Sequence, residues 1–326
     1  MKAILCKSYG PPENLVIEEV DDLKPKQGEI LVEVYSASLN FPDTLQISGK
    51  YQYEHPFPFI PGSEASGVIK ELGPNIKGFK IGDRVMVTPG IGTMAEQICV
   101  KTNFLRKIPD IMDLKTASCF PMIYSTSYYA LKQRAQLSPG ETLLVLGASG
   151  GVGITAVELG KLMGAKIIAG ASSMEKLKLA RNAGADHLVN YCNDDLKTKV
   201  KELTNGKGAD VIFDPVGGNL FDQSTRCINW NGRLLVIGFA SGIIPEYKAN
   251  LALLKGSSMV GVFLGRWMIE EPDAYESNMF ELFELFKKGL IKPPPYKIFK
   301  MKDFVKAFNL FIERKVMGKV LLEFKV

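Results

Sequence analysis

The chain has 326 residues, of which 46% are hydrophobic and 23% are charged, and its formal net charge is +5. This length leaves room for two domains, and the composition is that of an ordinary globular protein without a biased tract. The small positive charge is spread along the chain and forms no stripe of basic and aromatic residues, so we expect no nucleic-acid partner.

The five cysteines form no CxxC pair, and their odd number argues against a disulfide framework. Free thiols are typical of proteins in a reducing compartment. The N-terminal residues contain no apolar signal segment, and no apolar run is long enough to cross a membrane. We therefore expect a cytoplasmic protein that does not associate with a membrane.

The first third of the chain has the pattern of short strands. The segment EILVEVYSAS alternates apolar and polar residues and is rich in β-branched types, as a half-buried strand requires. ASGVIKELG, GDRVMVTPG and AEQICV follow as further strands, separated by turns that contain glycine. No helical period longer than two turns precedes about residue 113.

From residue 141 onwards, strand-like and helix-like segments alternate. An apolar strand at 142–146 leads through a glycine-rich turn into VGITAVELGKLMG, whose apolar residues have helical spacing. The later segments AKIIAGA, DHLVNY, ADVIFD, GRLLVIGFA and SSMVGVFLG are short and apolar, as strands covered on both faces are, and helix-like segments separate the first four. This order predicts an α/β fold with a doubly wound parallel sheet.

The C-terminal part has a different pattern again. NMFELFELFKKGLIKP predicts an amphipathic helix, and MKDFVKAFNLFIERKVMGKVLLEF predicts a second helix that runs into a final strand. We expect both to pack back on the N-terminal domain. Residues 1–122 would then form one domain, completed by residues 266–326, and residues 123–265 would form the parallel-sheet domain.

The glycine motif GASGGVG occupies residues 147–153, between a strand and a helix. Gly150 and Gly151 lack a Cβ atom, which lets a pyrophosphate approach the backbone at the helix N-terminus, and Gly153 lets the helix pack closely on the strand. The strand–helix–strand context makes a dinucleotide site the leading interpretation, and a turn that serves packing alone is the alternative. The cofactor-binding residues expected in this turn are Ser149, Gly150, Gly151 and Val152.

The end of the next strand indicates which dinucleotide is bound. NAD-selective folds have an Asp or Glu there, whereas this chain has Ala171, Ser172 and Ser173. Small hydroxyl groups with Lys176 nearby would accept a 2′-phosphate that a carboxylate would repel, and Tyr191 ends the following strand. The sequence therefore favours NADPH over NADH. A solvated helix position for Lys176, and packing at the rim for Tyr191, are the alternatives.

Segments along nearly the whole chain resemble those of the medium-chain dehydrogenase/reductase superfamily, specifically its zinc-independent quinone oxidoreductase branch related to zeta-crystallin. In chain order they are SLNFPDTLQISGKY, PFIPGSEASGV, GDRV, GASGGVG, GADHLVNY, GADVIFDPVGG, GRLLVIG and GKVLL. The resemblance implies a GroES-like, β-rich catalytic domain and a Rossmann domain that binds NADPH, with the active site in the cleft between them.

The ligand positions of zinc-dependent relatives are occupied differently in this chain. Those relatives have a Cys where this chain has Asn40, a GHE where it has residues 62–64 as GSE, and a second Cys near Met122. Asparagine, serine and methionine cannot form a tetrahedral site of nitrogen and sulfur ligands, so we expect no metal. Without a Lewis acid, hydride transfer requires an acceptor that is already electron-poor, such as a quinone or another conjugated carbonyl.

The same resemblance implies three catalytic candidates. Asn40 would face the nicotinamide and offer an amide N–H to the substrate carbonyl, with turn stabilisation as the alternative, and Asp43 would organise its loop rather than transfer protons. Tyr51 matches the phenol that donates a proton in related enoyl-thioester reductases, although KYQYEHPF could equally form an aromatic lid over a flat ring. Leu45 replaces a tyrosine that is frequent in this branch, which predicts a more apolar acceptor pocket.

Further contacts with the cofactor are implied in the same way. Thr126 would lie beside the nicotinamide ribose or carboxamide, unless it only supports the packing of its helix. Arg266 and Lys319 would lie near the mouth of the cleft, where they could attract phosphate. The remaining expected cofactor contacts follow two strands of the Rossmann domain and are Gly238, Phe239, Ala240, Val262 and Phe263.

The segment SSMVGVFLG resembles the edge strand along which family members pair, so we expect a homodimer. The leading functional hypothesis is an NADPH-dependent quinone oxidoreductase that acts on small quinones. An NADPH-dependent reductase of enoyl thioesters or small enones is the first alternative. A non-catalytic, NADPH-binding redox sensor is the second.

Overall fold

The computed structural model describes residues 1–324, which divide into two compact units. The N-terminal unit comprises Met1–Met122 and the segment that begins at Pro295, and the central unit comprises Ile123–Pro294. The first boundary coincides with the one expected from the sequence. The second lies after Pro294, whereas the sequence pattern placed it after residue 265.

Fifteen strands form within the described residues. They are β1 (Lys2–Leu5), β2 (Val16–Glu19), β3 (Glu29–Leu39), β4 (Glu64–Leu72), β5 (Arg84–Val87), β6 (Gln97–Lys101), β7 (Leu105–Lys107), β8 (Thr142–Val145), β9 (Lys166–Ala171), β10 (His187–Asn190), β11 (Ala209–Asp214), β12 (Ile228–Val236), β13 (Ser258–Gly261), β14 (Tyr296–Lys300) and β15 (Lys319–Glu323).

Ten α-helices form in the same part of the chain, and none of them is both long enough and apolar enough to cross a membrane. They are α1 (Phe41–Ile47), α2 (Leu114–Tyr129), α3 (Gly151–Leu162), α4 (Met174–Asn182), α5 (Leu196–Leu203), α6 (Asn219–Cys227), α7 (Ala249–Lys255), α8 (Leu264–Glu270), α9 (Pro272–Lys287) and α10 (Phe304–Ile312).

A seven-stranded sheet forms the framework of the N-terminal unit. Its strand order is β14-β15-β3-β4-β5-β7, with β6 also paired to β3. The alternation in EILVEVYSAS directs Ile30, Val32 and Val34 into one core, where they pack with Ile69 and Val85. One face of the long strand β3 is therefore buried in this core. Residues of the candidate site lie at its C-terminal end.

The register of this sheet determines which residues meet at the end of β3. In the antiparallel pair of β3 with β4, Ser38 lies opposite Glu64, and in the pair of β3 with β15, Leu39 lies opposite Val320. Residues next to these partners are consequently brought together although they are far apart in sequence. Asn40, which follows β3, thus lies near the first residues of β4 and β15.

The C-terminal helix α10 packs against the core of the N-terminal unit, as the sequence pattern predicts. Its apolar face contributes Phe304, Ala307 and Phe308 to a buried cluster that also contains Leu39 and Val320. The spacing of these three residues is that of one helix face. The helix therefore covers the part of the sheet where β3 and β15 pair.

The central unit contains a six-stranded sheet in which every neighbouring pair is parallel, with strand order β10-β9-β8-β11-β12-β13. The chain proceeds from β8 to one side through β9 and β10, and then to the other side through β11, β12 and β13. The strand order therefore reverses beside β8, and the crevice at the carboxyl end of such a reversal is where parallel sheets bind ligands.

Helices α8 and α9 belong to the central unit because they pack on the last residue of α2 and on residues that follow it. Trp267 stacks on Tyr129 with ring centroids 4.2 Å apart, and Tyr275 meets the edge of Trp267 at 5.9 Å. Glu281 of α9 accepts from Lys132 at 2.6 Å. This packing explains why residues 266–294 differ from the expected domain assignment: the sequence shows an amphipathic helix but not the surface it covers.

Candidate active site

A buried ion pair lies at the centre of a polar cluster in the N-terminal unit. Glu64 Oε1 and Lys319 Nζ are 3.1 Å apart, and their side chains are 0% and 3% exposed. Lys319 Nζ also donates to the carbonyl oxygen of Leu39 at 3.0 Å and to Asn40 Oδ1 at 2.7 Å, while Glu64 Oε2 accepts from the backbone N–H of Met122 at 3.0 Å. All three ammonium hydrogens and both carboxylate oxygens thus have partners, which a buried pair needs if it is not to destabilise the fold.

The burial of Lys319 contradicts the expectation that its ammonium attracts phosphate. Lys319 is the first residue of β15, and the pairing of that strand with β3 directs its ammonium towards Asn40. Arg266, for which the same role was considered, is exposed and pairs with Glu270 at 2.5 Å. Lys319 is therefore unavailable to a phosphate group, whereas the role considered for Arg266 stays a prediction.

The amide of Asn40 is held by three side chains of the cluster. Because an ammonium group only donates, Lys319 requires the amide oxygen on its side, and Nδ2 then donates to Glu64 Oε1 at 2.9 Å and to Ser63 Oγ at 3.3 Å. Both amide hydrogens consequently have acceptors inside the unit. In this geometry the Asn40 side chain is fixed at the start of α1, and its expected role as a donor to a substrate carbonyl stays a prediction.

Asp43 lies in the first turn of α1 and is completely buried. Its Oδ2 accepts from the backbone N–H of Asn40 at 2.7 Å, which ties the first turn of the helix to the end of β3. Burial raises the pKa of Asp43 to about 7, against the opposing effects of the Asn40 N–H, the Ser63 hydroxyl and the positive charge of Lys319. This contact is compatible with the loop-organising role expected for Asp43. The elevated pKa means that its carboxyl group also titrates near neutral pH.

Tyr51 lies four residues beyond the end of α1, half-buried and beside Tyr53, with ring centroids 6.0 Å apart. Its pKa is raised by burial and, to a smaller extent, by the negative charge of Asp43 and by Tyr53. No other residue in the described part of the chain hydrogen-bonds to its hydroxyl. Tyr51 therefore keeps its proton at neutral pH and has that proton available for donation.

The residues at the positions where zinc-dependent relatives have metal ligands form hydrogen bonds in this structure. Asn40 and Ser63 belong to the polar cluster described above, and Met122 contributes its backbone N–H to Glu64. Within residues 1–324, no group of three or more His, Cys, Asp or Glu side chains has the arrangement of a metal site. The donor set at these positions is that of a hydrogen-bonded ion pair.

The ion pair itself was missed by the sequence analysis, although a signal for it exists. Glu64 follows a serine in GSE and begins an apolar strand that is typical of a buried position. A carboxylate buried there requires a buried cation as its partner. Lys319 in GKVLL is the first residue of an apolar strand, a position where a lysine must either leave the core or find a partner. Pairing the two needs the register of β3, which the sequence does not show.

The glycine turn of the central unit follows β8 at the reversal of strand order. Gly147 has a φ of 57°, and a Cβ on Gly153 would lie 2.2 Å from the carbonyl oxygen of Gly147, so a side chain there would displace backbone. Helix α3 begins with Gly150 as its N-cap, and no side chain caps its first turn. The free N–H groups of that turn and the close approach allowed by the glycines fit a pyrophosphate.

Three side chains meet at the carboxyl end of β9. Lys176 Nζ donates to Ser172 Oγ at 3.0 Å, and a Cβ on Gly170 would lie 3.3 Å from Cδ1 of Tyr191, which places that ring beside the end of the strand. Burial lowers the pKa of Lys176, as it does for an ammonium with little water around it. Ser173 is the N-cap of α4 and accepts from the N–H of Lys176 at 3.3 Å, and its expected contact with the cofactor stays a prediction.

The other expected cofactor residues lie at the same edge of the central sheet, with one exception. Gly238, Phe239 and Ala240 follow the carboxyl end of β12, and Val262 and Phe263 follow that of β13. Because the carboxyl ends of parallel strands share one edge, these residues are on the side of the glycine turn. Thr126 lies within α2, where the neighbouring Ser127 donates to the carbonyl oxygen of Val152 at 2.7 Å.

Comparison with known protein families agrees with this architecture. Residues 26–110 match the alcohol dehydrogenase GroES-like domain, and residues 151–284 match the zinc-binding dehydrogenase family. The first match lies in the N-terminal unit and the second in the central unit. The expected fold class, a GroES-like domain with a Rossmann parallel-sheet domain, is confirmed.

Individual relatives are similar over nearly the whole chain. The quinone oxidoreductase-like protein 2 homologue of Nematostella vectensis is 38% identical, over 99% of this chain and 89% of its own length. A 2-haloacrylate reductase of a Burkholderia species is 29% identical, over 99% and 98%. The crystal structure of Escherichia coli quinone oxidoreductase complexed with NADPH superposes with a TM-score of 0.94 at 28% identity, covering 99% of this chain and all of that chain.

The chain therefore belongs to the quinone oxidoreductase branch of the medium-chain dehydrogenase/reductase superfamily. Members of this branch are oxidoreductases, so the protein is an enzyme of that class. The second alternative from the sequence, a non-catalytic redox sensor, is thereby set aside.

Proposed function

We propose that the protein is a zinc-independent, NADPH-dependent reductase of small quinones. The observation that carries this proposal is the Asn40–Glu64–Lys319 cluster, in which hydrogen bonds and an ion pair stand where zinc relatives have ligands. A reductase built in this way supplies no Lewis acid from these positions, so its acceptor must already be electron-poor. Quinones meet that requirement, and quinone reductases are the chain's relatives.

The central unit fits NADPH in two respects. The uncapped first turn of α3 and the glycine turn suit the pyrophosphate, with Ser149, Gly150, Gly151 and Val152 in contact. Ser172, Lys176 and Tyr191 form a small group with one positive charge at the end of β9, which suits a 2′-phosphate. The quinone oxidoreductase to which the chain is similar binds NADPH in its crystal structure. Further contacts that we propose on the same edge are Thr126, Gly238, Phe239, Ala240, Val262 and Phe263.

The residues of the N-terminal unit would position the acceptor and supply the proton that it takes up on reduction. NADPH supplies a hydride when it is bound. Tyr51 would donate its phenolic proton to the reduced acceptor, because its hydroxyl is not engaged elsewhere in the described chain and its raised pKa keeps it protonated. Asn40 would hold the start of α1, and thereby Asp43 and the segment leading to Tyr51, in a fixed position.

We also propose a homodimer that pairs through β13. This strand is at the edge of the six-stranded sheet and most of its side chains are exposed, including Met259, which is 49% exposed. Pairing with a second copy would cover an edge that otherwise invites aggregation. The five free cysteines support a reducing compartment, and we propose the cytoplasm.

Steady-state kinetics with matched acceptors tests the proposed function. With NADPH as the donor and no added metal, kcat/KM for 1,4-benzoquinone should exceed that for crotonyl-CoA by about tenfold or more. The same turnover should survive prior dialysis against a strong chelator. A clear preference for the thioester, or activity that depends on a metal ion, would contradict the proposal.

A second candidate function is reduction of an enone or enoyl thioester. The unengaged phenol of Tyr51 favours it, because an enolate formed by hydride addition requires a proton donor. The similarity to a 2-haloacrylate reductase points to the same class of acceptor. Replacing Tyr51 with Phe separates the two functions: the loss of activity should be about 100-fold for an enoyl substrate, whose enolate carbon needs a positioned proton donor, and smaller, about tenfold, for a quinone, whose reduced oxygens can also take protons from water when the phenol is absent.

A further inference from the structure

Two buried hydroxyl groups join helix α2 to the start of helix α3 in the central unit. Ser127 of α2 is 0% exposed and Thr155 of α3 is 1% exposed, and their side-chain oxygens are 2.8 Å apart. Ser127 Oγ also donates to the carbonyl oxygen of Val152 at 2.7 Å. Buried polar side chains are nearly always paired in folded proteins. Here the pairing joins two residues that are 28 positions apart in the chain.

Every assignment of the two hydroxyl hydrogens leaves a bond between the helices. Both partners of Ser127 Oγ in the described chain, the Val152 carbonyl oxygen and Thr155 Oγ1, belong to α3. A serine hydroxyl has one hydrogen to donate, and each of these acceptors lies across the helix contact. Thr155 Oγ1 in turn lies 3.1 Å from the carbonyl oxygen of Ile123 in α2. The link is therefore independent of how the hydrogens are placed.

The carbonyl group that accepts from Ser127 belongs to a peptide group in the first turn of α3. The other end of that peptide group is the N–H of Gly153. An N–H in the first turn of a helix has no acceptor within the helix, which leaves it for a ligand. A carbonyl oxygen that accepts a hydrogen bond polarises its peptide group, so the N–H at the other end becomes a better donor. The Ser127 hydroxyl thus fixes and strengthens a donor in the turn that fits a pyrophosphate.

No side chain caps the first turn of α3, so the two hydroxyls hold this turn in a different way. The N-cap is Gly150, which has no side chain to offer. Among residues 1–324, the side-chain hydrogen bonds to the backbone of residues 151–153 come from Ser127 and Thr155. The close contact of Gly153 with the carbonyl of Gly147 sets how near the helix approaches the glycine turn. The hydroxyl pair adds directional bonds that a contact between glycine backbones does not provide.

We propose that Ser127 and Thr155 are positioning residues for the cofactor: together they fix the first turn of α3 so that its free N–H groups bind a pyrophosphate. The inference rests on the proposed binding of NADPH. Neither hydroxyl contacts the cofactor in this assignment, because both are bonded inside the unit and act through the backbone of Val152 and Gly153. Without the pair, the helix would still form, but the binding of a pyrophosphate would first have to order its first turn.

Equilibrium binding of three ligands tests the inference without an acceptor. Ser127→Ala should lower the affinity for NADPH by about fivefold, the usual effect of one lost hydrogen bond. The affinity for 2′-phospho-ADP-ribose, which has the same pyrophosphate, should fall equally, whereas that for adenosine 2′-phosphate, which has none, should stay the same. An unchanged affinity for NADPH overturns the inference. An equal loss for adenosine 2′-phosphate also overturns it, because the substitution would then distort the unit as a whole.

Matched variants separate the effect of the hydroxyl from that of side-chain volume. Thr155→Val removes the hydroxyl at nearly constant shape and should weaken NADPH binding as Ser127→Ala does, whereas Thr155→Ser keeps the hydroxyl and should bind like the wild type. Ser125→Ala is the control on α2, because Ser125 is also buried but its Oγ contacts Met279 Sδ at 3.1 Å instead of α3. A loss in Ser125→Ala or Thr155→Ser as large as that in Ser127→Ala contradicts the positioning role.

Hydrogen exchange of the protein without cofactor tests the link itself. The N–H of Ile154 donates to the carbonyl oxygen of Gly150 at 2.9 Å at the start of α3, and in Ser127→Ala it should exchange about fivefold faster. The N–H of Met163, which donates to the Leu159 carbonyl at the far end of the helix, should exchange at an unchanged rate. Equal exchange of Ile154 in both proteins, or an equal increase at both ends of α3, overturns the inference.

The binding results also distinguish the failure of the inference from that of the proposed function. If the wild type binds NADPH and reduces quinones but the variants bind NADPH equally well, only the inference fails. If the wild type binds NADPH but reduces no quinone, the proposed function fails and the binding of the variants still decides the inference. If the wild type binds no NADPH, both fail.

Discussion

The polar cluster of the N-terminal unit and the glycine turn of the central unit are built in opposite ways. The cluster joins side chains from β3, β4 and β15, with Asn40 and Lys319 separated by 279 positions in the chain, and its stability depends on buried charge. The turn is local, comprises residues 147–153, and depends on the absence of side chains. Substitutions should therefore affect the cluster through electrostatics and the turn through steric overlap.

Replacing Lys319 with Met should have the largest effect, because it leaves the buried carboxylate of Glu64 without a cation. We expect the free energy of unfolding to fall by about 3–5 kcal/mol, as measured by urea denaturation at neutral pH. The double variant Lys319→Met/Glu64→Gln should recover part of that loss, since it removes the unpaired charge.

The matched control for this substitution is Lys199→Met, which breaks the exposed pair with Glu202. We expect a loss below about 1 kcal/mol for that variant, because water solvates both charges. If Lys319→Met were no more destabilising than Lys199→Met, the cluster would not depend on buried charge, and the contrast between the two regions would disappear.

Replacing Gly153 with Ala should have the next largest effect. The added Cβ would lie 2.2 Å from the carbonyl oxygen of Gly147 and 2.9 Å from Cα of Ala148, so the turn must move. We expect NADPH affinity to fall by about 100-fold, or about 2.7 kcal/mol, in a titration followed by cofactor fluorescence. Gly265→Ala is the control, because its Cβ meets only the Phe263 ring at 3.5 Å. Unchanged NADPH binding in Gly153→Ala would show that the turn tolerates a side chain.

The local character of the turn explains why the sequence predicted it well. The glycine spacing, the preceding apolar strand and the following helical pattern are all contained in residues 142–163, and the structure places β8 and α3 there. The small residues at the end of β9 were equally visible. The sequence did not distinguish Ser172, whose side chain contacts Lys176, from Ser173, which caps α4.

The cluster could be predicted only in part, because its contacts depend on strand register. Asn40, Asp43 and Glu64 stand out in the sequence through their resemblance to zinc enzymes, but nothing local pairs Glu64 with Lys319. The hydrogen bonds that occupy both amide hydrogens of Asn40 follow from that pairing. The same limitation placed residues 266–294 in the wrong unit, since packing partners of an amphipathic helix are non-local.

Replacing Asp43 with Asn tests the electrostatic side of the comparison through pH. Its pKa is 3.8 in an unperturbed chain and about 7 in the folded protein, so between these values unfolding releases a proton and stability falls as pH rises. From pH 5.5 to pH 8 this group should cost the wild type about 2 kcal/mol of unfolding free energy, at about 1.4 kcal/mol for each pH unit up to 7. Asp43→Asn should lack this component in urea titrations at the two pH values. Identical pH dependence in both proteins would mean that Asp43 is ionised throughout.

Replacing Lys176 with Met should have the smallest effect. It tests the contribution of charge to cofactor binding in the central unit, where the glycine turn depends on shape. Lys176 is half-buried and contacts Ser172, so its charge is partly screened by water. We expect the affinity for NADPH to fall about tenfold, or about 1.4 kcal/mol, while that for NADH stays the same, because only NADPH has the 2′-phosphate. Lys178→Met, on the exposed face of the same helix, should change neither affinity. An equal loss of affinity for NADPH and NADH would mean that Lys176 acts through the packing of α4 on β9. It would contradict the charge-based selectivity for NADPH that we assign to this edge of the central sheet.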